Sequence, residues 1–204
     1  MQNRVDPSGN IIDTTARGSW MGNRGQLHDD TKQILRPFKL KAWLICVLQF
    51  KERHRKVMAP GLYTELFFMD EATAFAAGHR PCSECRRQDF NRFKMYWLKG
   101  NPGYGFTEKT SIKEIDAILQ IERINTEGNK VTYLDNIDNL PTGTFIFMNE
   151  QPYLISGNQL LRWTPSGYDN KISLPKNKVV TILTPKSVVN TFTAGYLPQL
   201  GVCV

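Results

Sequence analysis

A chain of 204 residues, 41% hydrophobic and 22% charged, has ordinary globular composition and enough length to bury a core, as one larger domain or two small ones. No apolar run approaches the ~20 residues that span a bilayer, and the opening MQNRVDPSGN carries no apolar signal stretch. We therefore expect a cytoplasmic protein with no membrane association, whose four cysteines are thiols or metal ligands rather than disulfides.

The net charge of +7 is unevenly placed. Residues 1–100 carry 17 Lys+Arg against 10 Asp+Glu, whereas residues 101–204 carry 9 of each. Such asymmetry favours a polyanionic partner for the first half, against the alternative of a solvated basic face.

Residues 1–37 show no clear period, and ARGSWMGNRGQLHDD reads as an ordered loop rather than a helix or strand. KAWLICVLQFK (41–51) reads as a strand, followed by the charged turn KERHRK. Residues 63–68 form a second strand. Asp70 then caps a short helix, EATAFAA, which Gly78 ends. Ser83 can cap the next helix, with Phe90, Phe93 and Trp97 on its buried stripe. NPGYGF (101–106) breaks the chain. Ser111 and Glu114 form a capping box for a helix burying Ile112, Ile115, Ile118 and Leu119.

From Lys130 the pattern turns to strands: KVTYL, TFIFM, PYLIS, QLLRW and VVTIL. Gly157-Asn158 is a two-residue hairpin signal. Thr184 as N-cap and Pro185 in the first turn open a last helix, closed by Gly195. The expected fold is α+β: a mixed N-terminal half (1–100) with a CxxC knuckle, then an antiparallel sheet with a closing C-terminal helix (101–204). The two halves can also be one continuous domain.

Cys82-Ser83-Glu84-Cys85 is a CxxC, whose turn can point two sulfurs at one tetrahedral ion. It follows a strand (YTELFF) and an Ala-rich helix, in the run Ala76, Ala77, Gly78, His79, Arg80, Pro81, Cys82 and Cys85. In this respect the stretch 63–87 resembles the second half of the metal-binding module of the Ada DNA-repair protein, and related zinc modules attached to nucleases. The resemblance implies zinc, nucleic-acid binding and a role in DNA repair. It departs from the family in one respect: the family takes its other two ligands from an upstream pair of cysteines, and no such pair is present. The methyl-accepting activity of Ada uses one of those cysteines and is not carried over. Cys46 and His54 are the candidates to complete a set with Cys82 and Cys85. The alternatives are His79 as a ligand, or a knuckle kept only for packing.

Arg17, Asn23, Arg24 and His28 share one glycine-spaced loop. Glycines let a backbone approach phosphate closely and arginines pair with it bidentately. If the protein is an enzyme, we expect His28 as general base and Arg24 as its electrostatic partner. Arg53, Arg55 and Lys56, with Arg17, Arg24, Arg80 and Arg86, are the expected phosphate-contacting cations. Arg162-Trp163 beside Gly167-Tyr168 offers a base-stacking surface, or else a cross-strand core pair. Glu65, Glu71 and Glu84 read as solvated or paired surface residues. Three functions follow: a nucleic-acid-binding or DNA-processing protein on an Ada-like knuckle, an enzyme on a small anionic substrate in a pocket lined by the Arg17–His28 loop, or a structural domain without chemistry.

Overall fold

The computed structural model describes residues 2–52 and 56–201. Arg53, His54, Arg55 and Cys203 therefore lie outside the described residues.

The first half contains a six-stranded sheet in the order β2-β1-β5-β3-β4-β6. Its strands are β1 (Gln2–Val5), β2 (Ile11–Asp13), β3 (Trp20–Asn23), β4 (Leu44–Cys46), β5 (Leu66–Phe68) and β6 (Arg80–Pro81). β1 pairs parallel with β5, β4 pairs parallel with β6, and the other pairs are antiparallel. Three of these strands lie within residues 1–37, where the sequence reads as loop. The reason is their shortness: strands of three or four residues carry too few alternations to register as a period. In β3 a glycine is required by close approach. A Cβ at Gly22 would sit 2.0 Å from the Leu44 carbonyl oxygen.

Helix α1 (Glu71–Ala76) is capped as expected, with Asp70 Oδ1 accepting from the Thr73 amide at 2.7 Å. Gly78, at φ +90°, closes it by donating to the Phe75 carbonyl. Helix α2 (Arg87–Gly100) buries Phe90, Phe93 and Trp97, but its N-cap is Arg86 rather than Ser83. The residues between form the cysteine turn, which displaces the helix start. Helix α3 (Ile112–Arg123) carries the complete Ser111/Glu114 capping box.

The second sheet is antiparallel throughout, in the order β11-β10-β9-β8-β12-β7. Its strands are β7 (Tyr133–Asn136), β8 (Phe145–Met148), β9 (Gln151–Ser156), β10 (Gln159–Thr164), β11 (Gly167–Ser173) and β12 (Val179–Ile182). The Gly157-Asn158 hairpin joins β9 and β10 in the expected register. β11 escapes the sequence because GYDNKIS is polar and exposed along most of its length. The last helix, α4 (Lys186–Thr193), starts one residue later than expected. Pro185 is its N-cap, and the Thr184 hydroxyl instead accepts from the Phe145 amide of β8 at 2.8 Å.

Both halves build the core. Phe75 of α1 packs on Phe93, Phe192 and Tyr196, while Ala72 and Ala76 share a cluster with Phe145, Leu154 and Trp163. Among the described residues, no helix is long and apolar enough to cross a membrane.

Candidate metal centre

The parallel pairing of β4 with β6 aligns Ile45 with Pro81, so Cys46 and Cys82 leave the sheet side by side. The Cys82 amide donates to the Ile45 carbonyl at 2.9 Å and fixes that alignment. The chain then turns: the Glu84 amide donates to Cys82 Sγ at 3.4 Å, and the Arg86 amide donates to the Cys82 carbonyl at 3.1 Å. This turn returns Cys85 to the same point. The sulfurs of Cys46, Cys82 and Cys85 all lie within 4.8 Å of one another. Thiolates on one tetrahedral ion with ~2.3 Å bonds sit about 3.8 Å apart. Three soft donors at this separation can hold a metal ion.

The titration of the cluster fits the same reading. Hydrogen bonds from the Cys46 and Cys85 thiols hold Cys82 well below the ordinary thiol range. Cys46, donating to Cys82 and buried, is pushed up. A metal bound by the three sulfurs would replace those shared protons.

The three cysteines open onto a cavity of about 500 Å³. Apolar residues including Met21, Leu44, Phe50 and Phe67 form much of its wall, and Asn23, Tyr63, Glu65 and Glu84 supply polar groups. Glu65 is 4% exposed, so it is not the surface carboxylate its sequence setting implies. Its Oε2 accepts from the Met58 amide at 2.8 Å, while its buried Oε1 has no hydrogen-bond partner. A buried carboxylate oxygen left unsatisfied is costly unless a ligand uses it. Nothing local marks Glu65 in the sequence; it becomes a candidate through the cavity alone.

The other candidate residues are dispersed. His28 is buried, with Nε2 3.3 Å from the Ala59 carbonyl and Nδ1 2.6 Å from the Thr64 hydroxyl. Because the carbonyl can only accept, Nε2 donates to it, and Nδ1 pairs with the Thr64 hydroxyl. His28 thus ties its loop to residues 59–64 in place of standing in a solvated loop, and it lines neither of the two cavities described here. Arg24, also fully buried, bonds to His79 and to the carbonyls of Gly9 and Pro37. The two expected catalytic residues therefore have separate partners.

Of the expected phosphate-contacting cations, Arg17 and Lys56 are exposed. Arg80 is spent on Asp116, through paired 2.7 Å bonds. Arg86 is spent on Glu71 at 2.7 Å and Asp89 at 2.8 Å. Both arginines are buried, so neither offers its charge to a polyanion. His79 lies in the aromatic core between Trp43 and Phe68, away from ligand duty. Trp163 and Tyr168 bond to Thr73 and Asp70 beneath the sheet, which makes them core residues and not a stacking surface.

Comparison of the chain with protein-family models, curated proteins and solved structures finds no match.

Proposed function

We propose that the chain is a zinc protein that processes nucleic acid or nucleotides at the cavity beside its cysteine cluster. One observation carries this reading: three convergent thiols line the same cavity as Glu65, a buried carboxylate with one oxygen unpartnered. Thiolates select soft or borderline ions, and zinc accepts three cysteines readily. Zinc bound there supplies Lewis acidity and makes water acidic near neutral pH. Glu65, in the same cavity, would take up a proton from that water and return it to a leaving group. Three thiolates with a non-ligand glutamate are also the composition of zinc nucleobase deaminases, which supports a hydrolytic reaction class. At about 500 Å³ the cavity suits a nucleobase-sized ligand. Lys51 and Lys56 are exposed beside the cavity residues Phe50 and Val57, where a phosphate backbone would meet them.

Elemental analysis of protein prepared without added metal tests the reading. About one zinc per chain is expected, falling to near zero in Cys82→Ser. A folded wild-type protein with no metal would end the proposal. His54→Ala separates an open site from a closed one. Retained zinc places the fourth position in the cavity, whereas lost zinc marks a closed, structural set of Cys46, His54, Cys82 and Cys85.

The nucleic-acid part has its own test. Affinity for single-stranded DNA or RNA should fall steeply between about 50 and 200 mM salt. Lys51→Ala with Lys56→Ala should lower the slope of log affinity against log salt by about 1 to 2, because each lost phosphate contact releases fewer counterions. Binding that ignores salt removes the polyanion from the account.

A further inference from the structure

A second cavity, of about 400 Å³, shares no lining residue with the first. It lies between residues 8–11 after β1, residues 34–37, and the segment from Arg123 to Lys130. Arg24, Arg123 and Lys130 bring three cationic groups to its wall, and the exposed Arg36 adds a fourth. Among the described residues none of the three forms an ion pair. Arg24 Nη1 donates to the Gly9 carbonyl at 3.0 Å, and Arg123 Nη1 donates to the Gly78 carbonyl at 2.8 Å. Arg123 Nη2 reaches the Lys41 carbonyl at 2.6 Å and the Gln120 side chain, and Lys130 Nζ donates to the Ala76 carbonyl at 2.5 Å. Every one of these acceptors is neutral. Arg24 Nη2 and Arg123 Nε, both buried, have no acceptor at all.

Both guanidiniums also lie over the Trp43 ring, at 3.9 and 4.0 Å from its centroid. Ring faces attract cations but cannot neutralise them. Two carboxylates act on this group, and neither forms an ion pair with it among the described residues. Asp6, whose charge favours Arg24 and Lys130, accepts twice from Asn10, and Asp116, whose charge favours Arg123, is held bidentate by Arg80. His79, the remaining titratable group in contact, is neutral and accepts from Arg24 Nε at 3.2 Å.

Burying like charges without a counter-charge in contact is expensive, and a negative ligand seated among them would offset that cost. Burial pushes Arg24 down to about 9 and Lys130 down to about 7, and the charge of Asp6 opposes that shift only in part. The apolar lining residues Ile11, Ile34, Leu35 and Ile124 complete a pocket larger than a bare ion needs.

We propose that this cavity is a binding site for a small organic phosphate, its phosphoryl group seated between Arg24, Arg123 and Lys130 and its body along Ile34, Leu35 and Ile124. Arginine forks match phosphate oxygens, and the unpartnered Arg24 Nη2 supplies a donor already in place. The site is independent of the cysteine cluster and stands whether or not that cluster holds zinc.

Isothermal titration of the full-length protein with inorganic phosphate and with a nucleoside monophosphate tests this. Both probes should bind, the monophosphate more tightly. Lys130→Met should weaken each about 10- to 100-fold, as expected for losing one charge-assisted contact. Lys130→Arg should recover most of the affinity, a rescue that a packing role for the alkyl stem would not need. Absence of binding by wild-type protein at millimolar concentrations of both probes overturns the proposal whatever the variants do, and leaves the cluster a structural cation stack only. Binding that is unchanged in Lys130→Met overturns it equally. If inorganic phosphate binds as tightly as the monophosphate, the organic half of the assignment fails.

Discussion

Glu71→Ala should destabilise the protein by about 3–5 kcal/mol, the loss typical of breaking a buried charge pair by removing one partner. For a chain of this size that is a fall in melting temperature of about 6–20 °C. Glu71 is fully buried at the first position of α1. Its carboxylate accepts from Arg86 at 2.7 Å, from the Tyr196 hydroxyl at 3.1 Å and from the Gln199 amide at 2.8 Å. One side chain thus joins the cysteine turn, the end of the core after α4, and the C-terminal segment. Removal leaves the Arg86 guanidinium, 1% exposed at its side chain, with Asp89 as its remaining carboxylate. Glu71→Gln should cost less, because the amide oxygen still accepts while the charge is lost. Differential scanning calorimetry decides it, and a Glu71→Ala melting temperature within ~2 °C of wild type would show that the network carries no net stability.

What the sequence made legible follows from how local each signal is. Asp70, Gly78 and the Ser111/Glu114 pair act within one helical turn, and each stands where the local pattern placed it. The Gly157-Asn158 hairpin is local in the same sense. The strand β3 is not, because it pairs with β4, more than 20 residues away, and with β5, more than 40 residues away. No window of sequence contains both partners. Ser83 suits a cap by residue type, but the turn gathering the cysteines needs those residues before α2 can begin.

The candidate sites divide along the same line. Cys82 and Cys85 announce themselves by spacing, and Cys46 joins them because β4 runs parallel to β6. Glu65 stays hidden within TELFF, since burial of an acid there depends on Met58 and the cavity wall. Arg123 and Lys130 stay hidden because their companion, Arg24, is about 100 residues distant. Charge counts mislead for a related reason. Arg80 and Arg86 add to the positive excess of the first half, yet their charge is consumed inside the fold.

Asp116→Ala is the sharpest test of that last point. Arg80 and Asp116 meet through two 2.7 Å bonds with side chains 4% and 5% exposed, tying β6 to α3. Deleting the carboxylate strands a guanidinium among Phe90 and the neighbouring core, and should cost about 3–5 kcal/mol. Replacing both partners at once, Arg80→Met with Asp116→Leu, removes the desolvation of two charges along with their attraction. That double variant should lie close to wild type or above it, so the cycle should return a large coupling energy. Neither change should lower affinity for nucleic acid, because the pair faces the interior. The opposite outcome has a definite meaning. If Asp116→Ala melts like wild type while Arg80→Met weakens nucleic-acid binding, then the Arg80 guanidinium reaches solvent. The phosphate-contacting face expected from the sequence would then include it after all.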